Sequence, residues 1–143
     1  MHRNIVLVSH GDLAYGMMSA VKMVFGESAE LSCACLAPDG SCVEIIGKIA
    51  DRAAAHPETQ FVVIADILGG SVCNQCVQQL LDMPNTKVIS GMSLGLVLGV
   101  LCSSGQLSDK QLQVIIEESK ERTNLLSPKL ISDGTTSGEE DFF

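Results

Sequence analysis

The sequence predicts an α/β fold of three layers, a doubly wound, mainly parallel four-stranded sheet held between two sets of helices. Two observations carry this expectation. Four short apolar runs, at residues 4–8, 31–36, 61–65 and 87–89, alternate with segments of helical length and spacing, the pattern of parallel strands joined by crossover helices. The connections are short, and right-handed crossovers leave a sandwich as the natural arrangement. With 143 residues the chain has the length of one domain, and a domain of that size buries roughly 70% of its unfolded surface.

The first run, Ile5-Val6-Leu7-Val8, is apolar throughout and reads as a buried strand, which stops at the glycine-containing turn Ser9-His10-Gly11. A helix over 13–25 leads to the second strand. The next helix, 41–55, is bounded by Pro38-Asp39-Gly40 before it and His56-Pro57 after it. The third strand ends in Asp66, and Gly69-Gly70-Ser71 opens a helix over 71–83. After the fourth strand come helices over 93–102 and 108–122, the last with Ser108 as its cap and Leu112, Ile115 and Ile116 on one face. Beyond Arg122 the pattern changes. Residues 125–131 read as one extended edge piece, and 133–143 as a disordered acidic tail rich in Gly, Ser and Thr. The expected organisation is thus a domain over 1–123, a candidate exchanged edge strand over 124–132, and the tail. No internal repeat is visible.

Composition narrows the function. A formal net charge of -8, no Trp and a single Tyr, Tyr15, speak against a nucleic-acid surface, which needs basic patches and stacking aromatics, and against an anionic membrane surface. The amino terminus lacks the pattern of a signal peptide. The apolar stretch 94–102 is interrupted by Gly95 and Gly99 and is too short to span a bilayer. A cytoplasmic protein without a membrane insertion is expected. The six cysteines, Cys33, Cys35, Cys42, Cys73, Cys76 and Cys102, mostly sit in apolar segments and read as reduced core thiols. No cofactor and no metal are expected.

The carboxyl ends of the strands are where a sheet of this kind works. If the first and third strands are neighbours, His10, Asp66 and the glycine-rich entrance Gly69-Gly70-Ser71 converge on one crevice. A histidine accepts a phosphoryl group when one ring nitrogen is free to face the donor while the other is held by an acceptor that fixes the tautomer. Asp66 supplies that acceptor. Gly70 and Ser71, at a helix start, offer backbone N–H groups, a favourable dipole and a hydroxyl to the phosphate. Each residue alone has an ordinary explanation, as turn, cap or connection; their joint placement favours the site. His2 and His56 have no comparable setting. A competing reading takes Cys73 and Cys76 as a dithiol redox pair, or with His10 or Asp66 as a metal site.

The segments Ser9-His10-Gly11, Asp66-Ile67-Leu68-Gly69-Gly70-Ser71-Val72-Cys73-Asn74 and Ile89-Ser90-Gly91-Met92-Ser93-Leu94 resemble the IIA domain of the mannose family of the bacterial phosphoenolpyruvate-dependent sugar phosphotransferase system, over about residues 1–123. The resemblance implies that His10 is phosphorylated by the carrier HPr and passes the group to a IIB component, with Asp66 orienting it and Gly70 and Ser71 at the phosphate. It implies a homodimer exchanging an edge strand near the carboxyl end, which suits 124–132, since Pro128 excludes a central strand and an isolated edge needs cover. The chain departs from the family in having Val72 and Cys73 where proline and a large aromatic are usual, and Ser93 and Gly95 where asparagine and proline are usual. These departures bear on loop rigidity and partner choice. Related roles are a regulatory IIA-like module and the phosphocarrier of dihydroxyacetone kinase.

Overall fold

The computed structural model describes residues 2–132. The chain alternates β1 (Arg3–His10), α1 (Leu13–Val24), β2 (Leu31–Leu36), α2 (Cys42–Ala55), β3 (Gln60–Ala65), α3 (Ser71–Leu80), β4 (Thr86–Ser90), α4 (Leu94–Cys102), α5 (Asp109–Lys120) and a short α6 (Pro128–Ser132). The four strands form one sheet in the order β2-β1-β3-β4, and every neighbouring pair is parallel. The expected doubly wound parallel sheet is what the chain forms.

Side chains alternate across a strand, and β1 shows what that does here. Ile5 and Leu7 join Val62 and Ile64 of β3 on one face, where Ala14 and Val21 of α1, Leu96, Val97 and Val100 of α4 and Leu112 of α5 cover them. Val6 and Val8 join Val63 and Ala65 on the other, under Ile46 and Ile49 of α2 and Val72, Cys76 and Leu80 of α3. Two apolar cores, one on each face, explain why the central strands carry continuous apolar runs. The helices start where serines cap them: Ser41, Ser93 and Ser108 accept from the N–H of Glu44, Leu96 and Gln111, and Gln111 returns the bond to the Ser108 N–H at 2.8 Å. Helix α3 ends at Leu80, earlier than the expected 83, in line with Met83 preceding Pro84 and so being pushed out of helical geometry.

Arg3 is the one charged core residue among those described. Its guanidinium pairs with Glu30 at 3.1 Å and donates to the carbonyls of Leu101, Ser103 and Gly105. The start of the central strand is thereby tied to the end of α4, and the buried charge is fully engaged.

The carboxyl-terminal segment differs from expectation. Residues 123–127 have no regular structure and Pro128–Ser132 is helical, so the extended piece expected over 124–132 is not formed within the single chain. Proline's fixed φ suits the first turn of a helix as well as an edge strand, and among the described residues the sheet has four strands. The tail expected over 133–143 lies outside the described residues.

Candidate functional site

The register of β1 against β3 pairs Val8 with Ala65, so Ser9 and His10, still paired with Cys35 and Leu36 of β2, lie beside Asp66, the first residue past the end of β3. Gly11 (φ 55) and Gly69 (φ 83) turn the chain sharply at this edge in the left-handed region that favours glycine.

Asp66 is held from three directions. Its Oδ2 accepts from the His10 backbone N–H at 2.8 Å and lies 2.8 Å from the His10 Nδ1, while Oδ1 accepts from the Ile67 N–H at 2.9 Å. Burial pushes the carboxyl up, but the His10 amide, the His10 ring and the Ile67 amide together outweigh it and hold Asp66 below the usual carboxylate range. A carboxylate that stays ionised only accepts, so Nδ1 carries a proton, and in the neutral imidazole Nε2 is the nitrogen left with a free lone pair. The two partners divide the exposure: the Asp66 side chain is 8% exposed and that of His10 47%. The carboxylate is inside, and the imidazole faces out.

On its outer side, Nε2 meets the Ser71 hydroxyl at 3.1 Å, which donates to it. Ser71 is the first residue of α3 and Gly70 is the cap, without a side chain to engage the helix start. The first-turn amides from Ser71 onward therefore have no acceptor within the helix, and the helix dipole adds partial positive charge beside the imidazole. The Gly70 N–H is turned to the Ile67 carbonyl at 3.3 Å. Space gives the reason for glycine at 70: a Cβ there would stand 3.1 Å from the His10 Cε1 and 2.9 Å from the Ile67 Cγ2, so any side chain would press on the ring.

The sequence-predicted residues His10, Asp66, Gly70 and Ser71 thus lie together. His2 and His56 do not join them; both are exposed, and His56 follows α2 at the opposite edge of the sheet. Cys73 and Cys76 are buried beneath the site, at 2% and 0% exposure. Burial, with help from Cys73, Asp66 and Cys42, pushes the Cys76 thiol up to about 12. Such a thiol is protonated and unreactive, which weighs against the dithiol reading. No cluster of three or more metal-ligating side chains occurs among the described residues.

One neighbour escaped sequence reasoning. Cys42 opens α2, far from His10 in sequence, yet its Sγ lies 3.5 Å from the Ser71 Oγ.

Comparison with known proteins accords with this geometry. The EIIA-man family, described as the PTS system fructose IIA component, matches residues 4–118. The chain belongs to this family. The sorbose-specific EIIA component of the Klebsiella pneumoniae phosphotransferase system is 30% identical over 103 residues, which is 72% of this chain and 76% of that protein. The sorbose-specific EIIA component of Lacticaseibacillus casei is 26% identical over 140 residues, 97% and 99% of the two chains. Among solved structures, a mannose/sorbose-specific IIA subunit from Enterococcus faecalis superposes with a TM-score of 0.72 at 22% identity, covering 89% of this chain and 96% of that one; this likeness speaks for the fold. As an EIIA-man member the chain is a IIA component of a sugar phosphotransferase system. No helix among the described residues is long and apolar enough to cross a membrane.

Proposed function

We propose that the chain is a cytoplasmic phosphoryl carrier that accepts a phosphoryl group from HPr on His10 and passes it to a IIB component for sugar uptake. The observation that carries the reading is the placement of the His10 imidazole between an ionised carboxylate at Nδ1 and a hydroxyl at a helix start beside Nε2. In the forward step the Nε2 lone pair attacks phosphorus, a new N–P bond forms, and the bond to the donor nitrogen breaks with its electron pair staying on the donor. The ring gains positive character, which Asp66 offsets through the Nδ1 proton. Ser71 then turns its hydroxyl from Nε2 to a phosphoryl oxygen, and the first amides of α3 donate to the added negative charge. The return step to the IIB component reverses these movements. No cofactor takes part.

Exposed apolar side chains stand within three residues in sequence of His10, Cys42 and Asp66: Leu13 (52% exposed), Val43 (58%), Ile67 (59%) and Leu68 (77%). Such a surface suits a protein donor and a protein acceptor that dock in turn and exclude water from the transfer. The reading is tested by supplying phosphoenolpyruvate, enzyme I and HPr. The expected result is stoichiometric, acid-labile labelling that a purified IIB component discharges. A chain that stays unlabelled with active HPr contradicts it.

The same reading includes a homodimer built with residues 124–132. Leu125, Leu126 and Ile131 are 95%, 67% and 50% exposed, and a second copy's sheet edge would cover them symmetrically. Truncation after Arg122 should weaken the dimer in sedimentation and lower Tm while labelling at His10 persists. A full-length chain that is monomeric at micromolar concentration, or a truncated one that stays fully dimeric, overturns this part.

A further inference from the structure

We infer that Cys42 is a positioning residue for phosphoryl transfer, acting through Ser71; the inference rests on the phosphoryl-carrier reading of His10. A serine hydroxyl rotates about its Cα–Cβ bond, and in a rotamer other than the one seen here it turns away from the imidazole. In that rotamer the hydroxyl is lost to the site. The Cys42 thiol lies 3.5 Å from the Ser71 Oγ, a normal S–H···O separation, and the Ser71 Oγ lies 3.1 Å from the His10 Nε2. Because the Nδ1 proton is committed to Asp66, the bonds have one direction. Cys42 S–H donates to Ser71, Ser71 O–H donates to Nε2, and Nδ1–H donates to Asp66. The thiol occupies a lone pair of the hydroxyl and leaves its proton aimed at the position where the phosphoryl group arrives.

The placement of Cys42 is set by more than its own contact. Ser41 caps α2 by accepting from the Glu44 N–H at 3.2 Å. From α3, Gln79 reaches across to the Val43 carbonyl at 3.1 Å, so the first turn of α2 is fastened to the helix that carries Ser71. Cys42 is half-buried against the same apolar core as Cys73 and Cys76, but those two thiols are fully covered and Cys42 alone of the three opens toward the site. No net proton is consumed or released by Cys42 in the transfer; its S–H stays with sulfur throughout.

The test combines variants with thiol modification, read as the single-turnover rate of transfer from phosphorylated HPr. Cys42→Ala should slow transfer by about two- to five-fold, the size a weak donor supplies. Cys42→Ser keeps a donor and should restore the rate to within about two-fold of the wild type. Iodoacetamide, which caps Sγ and adds bulk against Ser71, should slow the wild type by roughly ten-fold or more and leave Cys42→Ser at its own rate. Modification of Cys42, followed by peptide mass, should itself slow once His10 is phosphorylated, because the phosphoryl group brings negative charge beside the thiol. Cys102→Ser, at an exposed cysteine outside the site, should change none of these readouts. A Cys42→Ala chain that transfers at the wild-type rate overturns the inference, as does a Cys42→Ser chain as slow as Cys42→Ala or equally sensitive to the reagent. None of these results would touch the assignment of His10, whose failure is read separately, by labelling of the chain with His10 removed.

Discussion

Replacing His10 by alanine is expected to abolish labelling from phosphorylated HPr, with a loss beyond about 10⁴-fold and no detectable acid-labile phosphate. The imidazole is the proposed nucleophile, and among the described residues neither His2 nor His56 pairs with a carboxylate or opens a helix. The fold should survive the change. The His10 side chain is 47% exposed, and its backbone N–H, which anchors Asp66, is retained in alanine, so the loss of stability should stay near or below about 1 kcal/mol. Circular dichroism and Tm alongside the labelling assay separate the two effects. Persistent labelling at His2 or His56 would contradict the assignment.

Removing the Asp66 carboxylate should produce the next largest effect. Asp66→Ala frees the Nδ1 proton and leaves the phosphorylated ring without its counter-charge, and a decrease on the order of 10²-fold in the transfer rate follows. Asp66→Asn should be at least as slow, for a reason visible in the contacts. Oδ2 accepts from both His10 donors and Oδ1 from the Ile67 N–H. An amide has a single oxygen, so its NH₂ must confront either Ile67 or His10; facing His10, it would turn Nδ1 into an acceptor and move the ring proton to Nε2, closing the lone pair that attacks. The pH dependence of stability should change as well. Because the folded chain holds Asp66 below its ordinary value, its contacts stabilise the native state above the unfolded carboxylate pKa of about 3.9 and lose that contribution as the pH falls through the lower folded value. Acid unfolding of Asp66→Asn should therefore be less steep than that of the wild type. A variant with unchanged transfer and unchanged acid unfolding would reduce Asp66 to a turn residue.

Much of this arrangement was legible in the sequence because of where apolar runs stop. All six residues of β3 are buried, so the run 61–65 had to be a central strand, and the polar residue after it had to stand at the sheet edge. The same holds for His10 after Val8. Parallel pairing then brings the two ends together without further information, since in a parallel sheet all carboxyl ends face one way. The sequence pointed to Gly70 and Ser71 beside His10, and for Gly70 the reason it offered was approach to phosphate. The structure adds the crowding of the ring by any Cβ, which depends on tertiary distances no local pattern carries.

Cys42 illustrates the same limit more strongly. Its neighbours in sequence, Ser41 and Val43, describe only a helix start; its contact with Ser71 arises from α2 packing on α3, held by Gln79. Nothing in the sequence singled out Arg3, whose burial follows from the return of the α4 end to the first strand. Residues 124–132 were ambiguous in a different way. Apolar residues around a proline fit both an edge strand and a proline-started helix, and local pattern alone does not separate the two.

The central claim is that the phosphoryl group is carried on one particular atom, the His10 Nε2. Nuclear magnetic resonance of the ¹⁵N-labelled, phosphorylated chain tests it most directly, through the ring nitrogen shifts of His10 and the coupling of one nitrogen to phosphorus. Phosphorus coupled to Nε2, with Nδ1 still protonated toward Asp66, is the result the geometry predicts; phosphorus on Nδ1, or on any residue other than His10, would contradict it.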